Sequence, residues 1–294
     1  MNKMQNFDNL ETELQGKIHS LQKQLISLQP GCIAVSGGLD SRFLASLARL
    51  WRLDYMTIFF SGPHLAAFEK KFALSFLKNL QLPSTILHID PLEVSEVAHN
   101  CKDRCYYCKI HLFTQARQEA WVSGFANILE GSHTSDQNEY RPGHQSLQQL
   151  GIKSPLQTAG FTKEDIRICA RSLGMPAPDQ PSRPCLLTRF PYGFLITSKS
   201  LSEIAHAEEC LYRLGLRDFR IRVTRIHEWS LQISWHEKQR WSDSQTLLKS
   251  TLSQLGSRIS GPFFVKQLSG YFDHSQTEKQ QQEQNDSTDN PLRK

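Results

Sequence analysis

No run of apolar residues in this 294-residue chain approaches the ~18 needed to span a bilayer, so no membrane-crossing helix is expected. The opening, Met1 to Glu13, lacks the basic-then-apolar order of a secretory leader; it is polar and acidic, and a cytoplasmic protein is expected. Two glycine-rich nucleotide signatures are missing as well: no G-x-x-x-x-G-K-S/T loop and no G-x-G-x-x-G loop occur where a strand meets a helix. Charge is sparse, at 21% of residues with a net +5, which gives mildly basic surfaces that suit a phosphate-bearing ligand without demanding RNA. Cysteine is better represented, at seven, an odd number spread over positions 32, 101, 105, 108, 169, 185 and 210. Without a leader these thiols should be reduced, so their clustering points to metal or chemistry more than to disulfides.

What is present is organised around Ala34-Val35-Ser36-Gly37-Gly38-Leu39-Asp40-Ser41. The short apolar run Cys32 to Val35 enters this stretch, and a helical pattern of Phe43, Leu44, Leu47, Ala48 and Leu50 leaves it. Strand, phosphate loop and helix is the reading. Adjacent glycines let backbone N–H groups face an anion with no Cβ in the way. A helix starting near Asp40 or Ser41 adds its unpaired amides and partial positive charge, which suit a pyrophosphate. Ser36 and Ser41 supply hydroxyls, and Asp40 is a carboxylate able to hold magnesium (Mg2+) against the phosphates. A plain Gly-Ser turn between strand and helix is the alternative.

Two domains are expected from the length, over 1–180 and 181–274, with a disordered polar tail over 275–294. An amphipathic first helix carries Phe7, Leu10, Leu14, Ile18, Leu21, Leu25 and Leu28 and ends before Pro30. Strands follow over 55–60, 85–89 and 126–129, with a helix over about 64–80 and helical periodicity through Trp121, a pattern that implies a parallel sheet covered on both faces. The fold class is therefore α/β, with ligands expected beyond the carboxyl ends of the strands. Thr162 caps a helix that runs to about Leu173, with Asp165 at its third position. Five prolines between Met175 and Gly193 predict an irregular connection with no regular element. Beyond it a helix over 200–214, strands over 219–224 and 230–235, a helix through Leu255 and a strand over 263–267 make a smaller α+β domain.

Three groups outside the loop could carry chemistry. Cys185 lies between Arg183 and Arg189 among prolines, where nearby cations would favour a thiolate nucleophile; a buried structural thiol is the plain alternative. Cys101, Cys105 and Cys108 form C-x-x-x-C-x-x-C with His111 three residues on, a spacing able to hold iron–sulfur or, with His111, zinc; Cys185 could replace Cys101 as third ligand. Arg220 and Arg222 alternate with apolar residues and so share one face of a strand, two forks for a phosphate or carboxylate, although a solvated outer face gives the same pattern more often. Glu208 precedes them, either orienting an arginine or facing water.

The Ser-Gly-Gly-Leu-Asp-Ser loop resembles the PP-loop of ATP pyrophosphatases, whose domains are of the adenine nucleotide alpha hydrolase-like type. The chain more narrowly resembles the ATP-dependent sacrificial sulfur transferases of nickel-pincer cofactor synthesis, the LarE family, from Ser36 to about Val223. Supporting stretches are Arg104-Cys105-Tyr106-Tyr107-Cys108-Lys109; Glu130-Gly131-Ser132 with Asp136 and Tyr140 to Gly143; Ser154-Pro155-Leu156 with Ala159-Gly160 and Thr162-Lys163; and Pro184-Cys185 through Pro191-Tyr192-Gly193. The resemblance implies that Ser36, Gly37, Gly38, Asp40 and Ser41 bind ATP with magnesium, and that a pyridinium dicarboxylate mononucleotide is adenylated. Cys185 would then attack the acyl-adenylate, with Arg220 and Arg222 on the substrate phosphate and Glu208 nearby. It further implies one of two sulfur sources: Cys185 itself, left as dehydroalanine, or a 4Fe–4S cluster on Cys105, Cys108 and Cys185, the cluster-bearing form of the family that these three cysteines match and that is the favoured expectation. The expected partner is that small molecule, with no nucleic acid, no membrane and a homo-oligomeric assembly. The sequence departs from the family at Trp229 to Ser234, where an Ala-Arg-Ile-Glu-like strand is usual, and at Ser132-His133, which replaces Thr-Asn or Ser-Asn. These departures bear on the acceptor more than on the ATP step. A tRNA thiolase and an amide-forming synthetase are the nearest alternatives, and a nucleotide-binding regulator is a third from outside the enzymes.

Overall fold

The computed structural model describes residues 7, 10–138, 143–225, 228–254, 258–266, 268 and 270–272. The expected disordered tail and the Tyr140 to Pro142 stretch lie outside the described residues. The chain divides into two compact units: Met1–Gly62, Phe68–Val97 and Asp103–Arg183 form the first, and Pro63–Ala67, Ala98–Lys102 and Pro184–Lys294 the second. No helix among the described residues is long and apolar enough to cross a membrane.

The first unit opens with α1 (Thr12–Ser27), whose Leu14, Ile18, Leu21 and Leu25 fall on one buried stripe. Each such leucine or isoleucine is worth about 1.5–3 kcal/mol when fully removed from water. The expected stripe began at Phe7; Phe7 is buried but lies ahead of the helix. There follow β1 (Gly31–Ala34), α2 (Leu39–Leu50), β2 (Tyr55–Ser61), α3 (Ala67–Leu80) and β3 (Ser84–His88). Next come α4 (Ser95–Ala98), α5 (Arg104–Val122), β4 (Asn127–Leu129), α6 (Gly143–Gln149), α7 (Pro155–Thr158) and α8 (Lys163–Ser172).

The sheet runs β3-β2-β1-β4 and all its pairings are parallel. Strands β1 and β2 are buried on both faces, as their near-continuous apolar runs require, whereas the edge strand β3 alternates between half-buried and exposed. On one side α5 contributes Leu112, Phe113, Ala116 and Ala120 to a core with Met56, Ile58 and Ile128. Phe43 of α2 meets Phe161 with ring centroids 5.9 Å apart. Because β2 and β4 flank β1 on opposite sides, the chain reverses direction across the sheet at β1. That switch point is where the loop after β1 emerges.

Thr162 accepts the Asp165 amide and Asp165 accepts the Thr162 amide, the reciprocal cap expected from the sequence. The α3 start at Ala67 falls three residues later than expected.

In the second unit α9 (Ser198–Arg213) lies against a sheet of order β5-β6-β7: β5 (Phe219–Arg225), β6 (Glu228–Ser234) and β7 (Arg258–Val265). The helix α10 (Lys238–Gln254) connects β6 to β7. β5 and β6 are antiparallel and β6 and β7 parallel. Leu201, Ile204, Ala207 and Leu211 of α9 are buried, as are Phe219, Ile221 and Val223 of β5. One expectation is corrected here: the proline-rich passage does hold regular structure, a 3₁₀ turn over Leu186–Arg189, because its four residues fall between Pro184 and Pro191.

Candidate active site

The loop after β1 is shaped by local chemistry. Gly37 has φ +85°, and a Cβ there would stand 2.9 Å from the Cβ of Ala73, so both backbone and space require glycine. The Ser41 hydroxyl donates to the Gly38 carbonyl (3.2 Å) and accepts the Ser36 amide (3.1 Å), and it lies 3.2 Å from the Ser36 hydroxyl. Both hydroxyls and the first turn of α2 therefore sit in one tight turn. Arg42, fully buried, donates to the Gly37 carbonyl at 3.1 Å and to the Pro176 carbonyl at 2.8 Å, pinning the loop to the chain after α8. Burial lowers the Arg42 guanidinium to about 10, against the opposing pull of Asp40, and leaves it charged at neutral pH.

Around this turn the unit gathers side chains from distant stretches. Asp40 accepts a 2.6 Å hydrogen bond from Lys163 Nζ, and His133 Nε2 stands 4.0 Å from its other oxygen. The His133 amide donates to Asp136 at 3.0 Å. Glu130, at the end of β4, accepts from the Ser132 amide (3.0 Å) and hydroxyl (2.8 Å) and from the Ser154 hydroxyl (2.5 Å). Gly131 brings the β4 end against α2: a Cβ there would be 2.8 Å from the Ser41 amide nitrogen. The arrangement is a tight turn with hydroxyls and helix-terminal amides, surrounded by one lysine, one histidine and the carboxylates of Asp40, Asp136 and Glu130.

Cys105 and Cys108, three apart in the first turn of α5, share one helical face and are both half-buried. Cys101 is also half-buried but precedes the helix, in the 98–102 segment grouped with the second unit. Among the described residues no three His, Cys, Asp or Glu side chains gather as a metal-holding group. No disulfide joins any of the seven cysteines.

In the second unit Cys185 is half-buried at the start of the 3₁₀ turn. Its carbonyl accepts the Thr188 amide (3.0 Å) and hydroxyl (2.8 Å), and the following amide, of Leu186, donates to the His64 carbonyl (2.9 Å). Arg189 is no bare cation beside the thiol. Its guanidinium grips Glu208 at 2.6 and 3.0 Å and also donates to the Pro184 carbonyl (3.3 Å), the residue before Cys185.

Glu208 has no exposed surface and also accepts the Ile221 amide at 3.0 Å. Burial alone would raise its carboxyl; the charge and hydrogen bonds of Arg189, with Arg220 and the Ile221 amide, reverse this and hold it below the usual range. Arg220 and Arg222 do share a face, and that face is buried, each being 2% exposed, so the commoner outer-face pattern does not apply. Arg222 donates to Gln232 Oε1 (3.3 Å) and to the Thr188 (2.8 Å) and Leu268 carbonyls, with its guanidinium 5.4 Å from the Tyr271 ring centre. Burial, then repulsion from Arg189 and Arg220, lowers Arg222 to about 9. Three guanidinium groups against two carboxylates, Glu208 and Asp218, the latter 3.8 Å from Arg220, still leave this cluster with surplus positive charge, a setting that suits an incoming anion.

Fold and site together define an α/β protein with a glycine-turned loop at the switch point of a parallel sheet, joined to a small α+β unit rich in buried arginine. No family model matches the chain. It is 30% identical over 210 residues, 71% of its own length and 78% of the relative's, to an uncharacterized protein of Synechocystis. It is 30% identical over 207 residues, 69% of this chain and 74% of the relative, to the pyridinium-3,5-bisthiocarboxylic acid mononucleotide synthase of Lactiplantibacillus plantarum. An uncharacterized protein of Methanocaldococcus jannaschii matches at 30% over 179 residues, 61% of this chain and 68% of the relative. The chain belongs to the pyridinium-3,5-bisthiocarboxylic acid mononucleotide synthase (LarE) family.

Lys163, Gly131 and His133 are site residues that sequence reasoning did not assign a role, and Arg189, expected as a cation beside the Cys185 thiol, is bound to Glu208. Lys163 reaches Asp40 across 123 positions, a separation over which periodicity carries no signal. The Thr162 cap was the available clue, because it fixes where the first residue of α8 points.

Proposed function

We propose that this chain is an ATP-dependent, AMP-forming sulfur transferase that converts a carboxylate of a pyridinium dicarboxylate mononucleotide to a thiocarboxylate. The observation that carries the proposal is the Ser36–Ser41 turn at the sheet's switch point in a member of a thiocarboxylate synthase family. The amides of Gly37, Gly38 and the first turn of α2 bind the β and γ phosphates, with Ser36 and Ser41 donating. Lys163 and a magnesium ion offset the phosphate charge. Asp40 is the one carboxylate in the turn, a donor set that fits magnesium, which prefers one or two carboxylates with phosphate oxygens and water.

A substrate carboxylate oxygen attacks the α phosphorus, and the bond to pyrophosphate breaks with its electron pair leaving on pyrophosphate. The Cys185 thiolate then attacks the activated acyl carbon, and AMP departs with the bonding pair to leave a thioester. Arg220 and Arg222 hold the substrate phosphate, and Glu208 keeps that pair oriented through Arg189 and the β5 backbone. In the sacrificial route the Cys185 Cα loses a proton and the Cβ–S bond breaks with its electrons on sulfur, giving thiocarboxylate and dehydroalanine. Cys105, Cys108 and Cys185 are the thiolates that would hold a 4Fe–4S cluster; the shared face of Cys105 and Cys108 on α5 fits two of its ligands. When bound, such a cluster supplies labile sulfide.

The test is incubation of purified protein with ATP, magnesium and the pyridinium dicarboxylate mononucleotide, followed by measurement of AMP, pyrophosphate and the product's mass. AMP and pyrophosphate in equal amounts with a thiolated product support the proposal. ATP left intact, or cleaved to ADP, overturns it.

A further inference from the structure

Each oxygen of Asp40 faces a nitrogen: Lys163 Nζ stands 2.6 Å from Oδ1, and His133 Nε2 stands 4.0 Å from Oδ2. One framework holds both nitrogens. The Lys163 amide donates to the Ser135 hydroxyl at 3.2 Å, and Thr134 donates its amide (2.9 Å) and hydroxyl (2.7 Å) to the Phe161 carbonyl. The 3₁₀ turn that follows His133, over Thr134–Asn138, is thereby tied to the start of α8. Asp136 clasps His133 itself. One of its oxygens accepts the His133 amide at 3.0 Å, and the other stands 3.5 Å from Nε2.

The two nitrogens of the ring are placed differently. Nε2 looks onto two carboxylates, whereas Nδ1 is buried with no hydrogen-bond partner among the described residues, in a side chain that is 7% exposed. A proton on Nδ1 would be a buried donor without an acceptor, a costly unmade hydrogen bond; a bare Nδ1 leaves only a lone pair unused. The neutral ring therefore carries its proton on Nε2, where the acceptors are. At 4.0 Å the Asp40 oxygen is beyond direct hydrogen bonding, a gap that a small turn of the carboxylate or one water closes. Each carboxylate oxygen has two lone pairs, so one engaged by nitrogen keeps a second for a metal. We propose, on the nucleotide reading of this turn, that His133 as its Nε2–H tautomer is a positioning residue for Asp40. With Lys163 it fixes the plane of that carboxylate toward the magnesium of ATP, and Asp136 keeps the ring from turning over.

Two measurements on the full-length protein test this. Nitrogen-15 NMR of ring-labelled histidine, without nucleotide and at neutral pH, separates a protonated ring nitrogen from a bare one, and the signal missing from His133→Gln identifies the residue. Nε2 should be protonated and Nδ1 bare. The second is calorimetric titration with ATP, in magnesium and again in EDTA. Groups that hold a metal's ligand in place are commonly worth roughly 10–100-fold in metal affinity, so His133→Phe should weaken ATP binding by about that factor in magnesium and leave it unchanged in EDTA. His133→Gln, whose amide nitrogen falls where Nε2 stood, should restore most of the loss. His133→Asn, whose amide nitrogen falls where Nδ1 stood, should not. A ring protonated on Nδ1, a loss equal with and without magnesium, rescue by asparagine and not glutamine, or wild-type affinity in His133→Phe overturns the role of His133 alone. Wild-type protein that binds no ATP overturns the nucleotide reading, and the role of His133 falls with it.

Discussion

Glu208 shows how far a single residue's role depends on what surrounds it. From the sequence it was an acid near two arginines; in the structure its carboxylate is spent on Arg189 and on the Ile221 amide, so it acts through other groups and positions them. Glu208→Gln leaves Arg189 buried without its counter-charge, and removing one partner of such a pair costs about 3–5 kcal/mol. A lowered melting temperature at neutral pH checks this. The pH dependence has a definite sign: Glu208 titrates below its ordinary value near 4.5 when folded, so its contribution is complete above that value and is lost as pH falls through the folded one. The melting difference between wild type and Glu208→Gln should accordingly be constant near neutrality and shrink in acid. Cys185 is the complementary case, a residue whose flanking prolines and arginines mark it out in the sequence itself. Cys185→Ala should retain ATP cleavage to AMP and pyrophosphate in the presence of substrate while yielding no thiolated product, a separation read by pyrophosphate assay and product mass. Thiolation at the wild-type rate would remove this thiol from the reaction.

At the scale of elements, the loop and its two neighbours were readable because backbone requirements leave a mark in composition. Gly37 adopts a positive φ beside Ala73, and Gly131 lets the end of β4 approach the first turn of α2. Gly37→Ala imposes ~1–2 kcal/mol of left-handed strain, before the contact with Ala73 is relieved. A free loop that relaxes to shed this strain must take it up again to present its amides to phosphate, and since 1.4 kcal/mol is a factor of ten in binding, ATP affinity should then fall about tenfold. Gly131→Ala displaces the Ser41 amide itself, so ATP binding should fall by a similar factor with a smaller change in melting temperature. Calorimetric titration with ATP checks both variants, and undiminished affinity in Gly131→Ala would mean that the Ser41 amide does not touch phosphate. The buried strands β1 and β2 announced themselves as continuous apolar runs. By contrast α4, α6 and α7 span at most two turns, too short for a 3.6-residue period to develop, and sequence reasoning passed over them. The 3₁₀ turn after Cys185 was hidden by the prolines that bracket it.

For the whole molecule, the α/β architecture followed from strands alternating with helices, and the smaller three-stranded sheet from the shorter pattern that succeeds them. Contacts between distant stretches left no such trace. The 63–67 and 98–102 segments group with the C-terminal chain through bonds such as Leu186 to His64 and Asn100 to Phe190, which no local pattern encodes. The same division assigns the thiols differently from their spacing: Cys101 and Cys185 to one unit, Cys105 and Cys108 to the other. Cys101 and Cys185 fall in the same unit, so the division does not choose between them as a third thiolate. A C-x-x-x-C-x-x-C site would use Cys101, whereas a cluster completed by Cys185 would leave Cys101 dispensable. If the proposed cluster route operates, anaerobically purified protein should contain iron and acid-labile sulfide, keep them in Cys101→Ala, and lose them in Cys105→Ser, Cys108→Ser and Cys185→Ala. Its intact mass should be unchanged after turnover. If the wild type instead carries no iron and loses the mass of one hydrogen sulfide at Cys185 with each product formed, the thiol itself is consumed, and Cys105 and Cys108 have no part in delivering sulfur.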